Sequence, residues 1–262
     1  MSYIQISNLC KTYPSNNKKD DTSIQVFNDF NLEIDKGEFV AFFGPNACGK
    51  STLLRILAGV ECFQKGNISV DGCVIASTKV GYIFQDYEES LFPWQTVLQN
   101  IATPLKSNGL SKRERKAKVC SLLQELGLDL PLNLYPYQLS GGQQQMVAIV
   151  RALIFEPDMM LMDEPLSSLD WQNSLIMRDK IQQIWEMTHT TTLFVSHDLD
   201  SAIYLADRLI ILSDKPVKVK SEIKISLPRS RDLSIIKSQE FFNLKNKALE
   251  FFSSDFPLIC NR

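Results

Sequence analysis

Hydrophobic and polar positions change period several times along the chain, and each change marks an element. Residues 2–9 and 24–34 alternate (Tyr3, Ile4, Ile6, Leu9; then Ile24, Val26, Phe27, Phe30, Leu32, Ile34), the period of half-buried strands. Between them, Tyr13-Pro14 opens a polar run from Ser15 to Ser23 that reads as an exposed loop. Asp35-Lys36-Gly37 is a turn into Phe39–Phe43, a continuous apolar run of strand length. Leu53, Leu54, Ile56, Leu57 and Ala58 then recur at helical spacing until Gly59. Residues 67–75 predict a hairpin with Asp71-Gly72 at its turn, and Val80–Phe84 a second buried strand ending at Gln85. From about residue 95 to 155 the character is helical. Ser111 caps an amphipathic segment, Lys112 to Leu126, that stops at Gly127. Ser140-Gly141-Gly142 precedes a helix from Gln143 to Phe155, which Pro157 terminates. Strands resume at Met159–Met162, running into Asp163-Glu164, and at Thr191–Val195, running into Ser196-His197-Asp198. A fifth, Leu209–Leu212, follows a short helix. In the tail Phe241, Leu244, Ala248 and Phe252 share one face after Ser238, which predicts a packing helix.

Buried strands alternating with helices predict an α/β fold with a mostly parallel sheet core. An antiparallel β part precedes that core and a helical subdomain interrupts it. The expected division is a core of 1–88 and 156–219, a helical subdomain of about 89–155, and a C-terminal extension of 220–262, within one domain. Ligands collect at the carboxyl ends of such strands, where Gly44 onward, Gln85, Asp163-Glu164 and His197 all fall. Composition alters little. The 262 residues are ample for a core, and 44% apolar with 22% charged is ordinary for a soluble protein. A formal charge of -2 leaves no electrostatic case for nucleic acid or anionic membrane. No apolar run approaches the roughly 18 residues that span a bilayer, and no signal peptide is visible. Six cysteines without C-x-x-C spacing argue against zinc or a disulfide framework, and for a reduced, cytosolic protein.

The chemistry starts at Gly44-Pro45-Asn46-Ala47-Cys48-Gly49-Lys50-Ser51, followed by Thr52, which fits the phosphate-binding pattern G-x-x-x-x-G-K-[ST]. It lies between a buried strand and a helix start, so backbone N–H groups and the positive end of the helix dipole can both face a polyphosphate. Lys50 adds a charge at the β/γ-phosphates and the Ser51 hydroxyl an oxygen ligand for Mg²⁺. Cys48 has two readings, a thiol whose pKa the helix N-terminus lowers or a residue that merely fills a small position; the second is favoured. Asp163, after an apolar run, suits a Mg²⁺ site held through water, and Glu164 suits the residue that orients or deprotonates an attacking water. Gln85 is a candidate Mg²⁺ ligand and γ-phosphate sensor, His197 a candidate γ-phosphate donor; both rest on position rather than type. Tyr13 is either a core aromatic or a surface ring able to stack on a purine, and its polar surroundings favour the second.

Leu139-Ser140-Gly141-Gly142-Gln143-Gln144-Gln145 resembles the signature motif of the ATP-binding cassette (ABC) ATPases. The resemblance covers essentially the whole chain. Gly44–Ser51 matches the family's Walker A loop, Gln85 its Q-loop, Met159–Asp163 its Walker B strand and Glu164 its catalytic glutamate. Ser167-Ser168-Leu169-Asp170 resembles the D-loop, His197 the switch histidine, and Tyr13 the aromatic that stacks on adenine. The resemblance implies ATP and Mg²⁺ as cofactors and a head-to-tail dimer. Each ATP would meet Walker A of one chain and Ser140, Gly141, Gly142 and Gln143 of a second copy. Three positions depart from the pattern: Ala47 stands where Gly is usual, which restricts the backbone if φ is positive; Ser168 replaces a small apolar residue; and residues 16–22 are a polar insertion. None removes a catalytic group, so an active ATPase is expected.

Two uses of the hydrolysis compete: the cytosolic motor of a membrane transporter, and a soluble ABC ATPase acting in DNA repair, translation or cluster assembly. A single cassette without a basic stripe favours the first. The segment Glu89 to Asn100, with Leu91-Phe92-Pro93-Trp94 around a proline, either packs within the helical block or offers an aromatic groove to a partner helix. Leu-Phe-Pro-Trp-x-Thr-Val-x-x-Asn resembles the nitrate/sulfonate/taurine/bicarbonate group of importer ATPases, as do Ala202–Arg208 and Leu227–Asp232. That resemblance implies a membrane permease, a substrate-binding protein and a peripheral place on the cytoplasmic face of the inner membrane, with no nucleic-acid partner. The solute is not readable, because the motor does not touch it.

Overall fold

The computed structural model describes residues 2–14, 23–86 and 90–253. The polar insertion after Tyr13, Glu89 and Cys260 lie outside the described residues. The strands are β1 (Ile4–Tyr13), β2 (Ile24–Ile34), β3 (Phe39–Phe43), β4 (Lys65–Val70), β5 (Cys73–Val74), β6 (Val80–Ile83), β7 (Met159–Asp163), β8 (Thr191–Val195), β9 (Arg208–Leu212) and β10 (Val219–Lys224). The α-helices are α1 (Lys50–Leu57), α2 (Val97–Ala102), α3 (Lys112–Glu125), α4 (Gly141–Leu153), α5 (Trp171–Thr188), α6 (Leu199–Leu205) and α7 (Gln239–Ser253). Two compact units divide the chain, residues 1–78 with 191–262, and residues 79–190.

In the first unit β2-β1-β4-β5 form an antiparallel sheet. Ile4, Ile6 and Leu9 of β1 lie opposite Ile34, Leu32 and Phe30 of β2, so one apolar face is built from both strands. The strand continues to Tyr13, past the end its alternation suggests. Register shifts between Ile6 and Thr12, with Asn8 at φ 51°, break the period while the pairing goes on. Asp71 and Gly72, at φ 52° and 74°, make the expected tight hairpin turn between β4 and β5. The all-buried β3 runs parallel to both β8 and β9. Two elements were not anticipated: the 18-residue α5, which lies between β7 and β8 in sequence, and β10, antiparallel to β9. Its sequence, VKSEIK, buries only Ile223, and its charges mark an exposed edge rather than a core strand. The tail helix forms as expected. Ser238 Oγ accepts from Phe241 N at 3.1 Å, Phe241 and Ala248 are buried, and α7 packs on α6, β9 and β10.

In the second unit β6 and β7 pair in parallel, from Val80 opposite Met159 to Ile83 opposite Met162. Ser111 caps α3 in a reciprocal box with Glu114, and Thr96 caps α2 in the same way with Gln99. Helix α4 begins at Gly141, two residues before the expected start. Ser140 is the cap, so both glycines become the first helical residues.

Candidate functional site

The phosphate-loop sequence of the first unit folds as a tight cradle between β3 and α1. Lys50 is 5% exposed, and its Nζ donates to the carbonyls of Gly44 at 2.9 Å and Pro45 at 2.8 Å. The ammonium is therefore folded back over the loop, beside a helix first turn whose N–H groups have no intrahelical acceptors. Gly49 has φ 135°, and a Cβ there would lie 2.6 Å from Val26 Cγ1, so only glycine fits. Ala47 has φ 56°; the departure from glycine thus falls on a left-handed backbone and stores about 1 kcal/mol of strain. Burial raises the Cys48 thiol above its ordinary pKa despite the opposing charge of Lys50. It is a buried filler, not an activated thiolate.

His197 follows β8, whose register with β3 (Phe42 opposite Val195) puts it at the same carboxyl end as Gly44. Its side chain is exposed while its backbone is held on both sides. Ser196 Oγ bonds within the turn to Asp198 O and N, and Asp198 caps α6 by accepting from Asp200 N and Ser201 N. Tyr13 ends β1 and is half-buried. It pairs with Ile24 across the antiparallel sheet, two residues before the Val26 that crowds Gly49.

In the second unit Gln85 and Asp163-Glu164 share one end of the parallel pair β6–β7. Asp163 is 3% exposed, and Tyr82 OH donates to its Oδ2 at 3.2 Å. Gln85 is exposed and Glu164 is half-buried with φ 48°. Ser167 turns back on Glu164, its N and Oγ donating to the Glu164 carbonyl at 3.1 and 2.9 Å. Asp170 closes the turn as the cap of α5, and the N–H groups of Asn173 hold its carboxyl below the usual range. Ser140 is exposed at the start of α4, with Oγ accepting from Gln143 N while Gln143 Oε1 accepts from Ser140 N. No acidic residue occupies that helix's first turn, so its N-terminus is fit to face an anion.

The loop before α2 is also built. Asn100 is fully buried; its Oδ1 accepts from Phe92 N at 2.8 Å and its Nδ2 donates to the carbonyls of Phe92, Gln95 and Thr96. Thus braced, the loop half-buries Phe92 and leaves Trp94 70% exposed, so the two readings of this segment divide between its two rings.

A family profile described as "ABC transporter" matches residues 27–167, more than half of the chain. The chain belongs to the ABC transporter family. Among the relatives of this ABC protein is the aliphatic sulfonates import ATP-binding protein SsuB of Bacillus cereus, 40% identical across 89% of this chain and 91% of that one. Another is the nitrate import ATP-binding protein NrtD of a Synechocystis species, 37% identical across 86% and 87%. The dimeric structure of MJ0796, a bacterial ABC transporter cassette, superposes with a TM-score of 0.73 at 31% identity over 86% of this chain and all of that one. The same cassette is also solved in a post-hydrolysis dimer bound to ADP and Pi. Two residues of the ABC site region were not anticipated as supports, Tyr82 behind Asp163 and Asn100 behind the Trp94 loop. Asn100 alone carried a signal, as an amide interrupting an apolar helical pattern.

Proposed function

We propose that this ABC ATPase is the motor subunit of a membrane importer for a small anion of the nitrate or sulfonate kind. The observation that carries the ATP half is the cradle at β3–α1, with Lys50 folded onto its own loop. In this reading Gly44 to Thr52, including Pro45, Asn46, Ala47, Cys48 and Gly49, wrap the phosphates, and Lys50 meets the β/γ-phosphates. Tyr13 stacks on adenine. Ser51, Gln85 and Asp163 offer only oxygen donors, a set that fits Mg²⁺, which when bound neutralises phosphate charge. Tyr82 fixes the Asp163 carboxyl for that task. Glu164 takes the proton of the attacking water, and His197 donates to the γ-phosphate. Ser140, Gly141, Gly142 and Gln143 of a second copy close the site, in line with the dimeric relative. ATP then bridges two copies, and hydrolysis weakens the bridge.

The transport half rests on the relatives' names and on the surface around Trp94. A groove of about 350 Å³ runs beside Trp94, Leu98 and Ala102, and Lys106, Lys112, Arg115 and Lys116 line it. None of the four cations forms an ion pair among the described residues. An apolar floor with a cationic rim suits a carboxylate-bearing helix of a permease. No described helix is long and apolar enough to cross a membrane; in this reading the permease is a separate chain. The motor sits peripherally on the cytoplasmic face, and a substrate-binding protein delivers the solute. The test is affinity capture of the tagged chain from detergent-solubilised membranes. Recovery of an integral membrane subunit, lost on Trp94→Ala, supports coupling; recovery only from the soluble fraction, free of any membrane subunit, contradicts it.

A further inference from the structure

Lys11 is 5% exposed in a strand end, and a buried ammonium needs a reason. Nζ donates to Glu61 Oε1 in a short ion pair, to the Cys62 carbonyl at 2.6 Å, and faces the Tyr13 ring with 4.4 Å to the centroid. Lys11 and Tyr13, two apart on β1, share one side of the strand. Gln64 adds a second fastening. Its side-chain amide pairs with both Thr12 N and Thr12 O, at 3.0 and 2.9 Å, and its backbone N donates to Cys10 O. The segment Glu61–Gln64 therefore grips β1 at residues 10–12, immediately before the half-buried Tyr13.

We infer that Lys11, held by Glu61 and Cys62, is a positioning residue for nucleobase recognition: it occupies one face of Tyr13 and presents the other to adenine. The inference rests on the proposed role of Tyr13. The ammonium also draws density from the ring it covers, which favours stacking of an electron-rich purine on the opposite face. Lys11 thus acts on the base alone and leaves the phosphate cradle untouched.

The test compares ATP with inorganic tripolyphosphate, which has no base, by calorimetric titration of the purified chain. Lys11→Met weakens ATP about 3- to 10-fold and leaves tripolyphosphate unchanged. Lys11→Arg retains most of the ATP affinity. In a Tyr13→Ala background, Lys11→Met causes no further loss. Equal weakening of both ligands by Lys11→Met makes it a structural residue and overturns the inference. So does normal ATP affinity in Lys11→Met when Tyr13→Ala is impaired. If Tyr13→Ala binds ATP as well as wild type does, the stacking role itself fails. Absence of binding to either ligand in the wild type would instead refute the nucleotide site.

Discussion

Removing the Asn100 side chain isolates how firmly the Trp94 loop is built. Of its four hydrogen bonds, two serve carbonyls that have other donors. Phe92 O also accepts from Gln95 N at 3.0 Å, and Thr96 O from Asn100 N at 2.8 Å. Asn100→Ala therefore orphans two groups, Phe92 N and Gln95 O. At about 1–1.5 kcal/mol each, the loss is about 2–3 kcal/mol, before any cavity contribution. For a chain of this size that lowers Tm by about 5–10 °C. Thermal melting followed by circular dichroism measures the first quantity, and amide exchange at Phe92 reads the second, more local one. The Phe92 amide should lose its protection in the variant. A Tm within 1 °C of wild type, with Phe92 still protected, would refute the brace.

The other expectations are brief. Ala47→Gly relieves about 1 kcal/mol of left-handed strain but adds about 0.5–1 kcal/mol of unfolded-chain freedom, so stability should change by less than about 1 kcal/mol; a larger loss by denaturant titration contradicts the strain. Gly49→Ala, by contrast, places a methyl against Val26 and should abolish ATP binding measured by calorimetry. With its pKa raised by burial, Cys48 should resist N-ethylmaleimide at pH 7 in the native chain, while exposed Cys62, Cys73 and Cys120 react; mass spectrometry of the peptides decides. The hydrogen bond from Lys11 lowers the Glu61 pKa, with the Tyr13 hydroxyl also contributing. A depressed carboxylate pKa stabilises the fold fully above its unfolded value of about 4.3 and loses that contribution as pH falls through the folded value. Lys11→Met should therefore flatten the acid limb of stability below about pH 5; identical acid limbs in the two proteins contradict the pairing.

Much of the parallel core was legible because β3 is wholly apolar, β7 and β8 carry apolar runs, and each runs into residues with chemistry. What escaped the sequence depends on tertiary neighbours. β10 reads as a charged tail because an edge strand buries one face only. The extension of β1 to Tyr13 is hidden by bulges that break its alternation. The early start of α4 follows from Ser140 winning the cap over two glycines. At the site, positions spaced by motif were named from sequence, whereas their supports were not. Tyr82 supports Asp163 across a strand pair, and Glu61, fifty residues on, holds the Lys11 that lies against Tyr13. No local pattern encodes either contact.

The central claim is that Glu164 handles the attacking water in an ATP bridged between two copies. Size-exclusion chromatography with light scattering of Glu164→Gln, with and without Mg-ATP, measures it together with phosphate release. The claim predicts an ATP-dependent dimer that persists and releases phosphate at least about 100-fold more slowly than wild type. A variant that remains monomeric with ATP, or that hydrolyses at the wild-type rate, contradicts it.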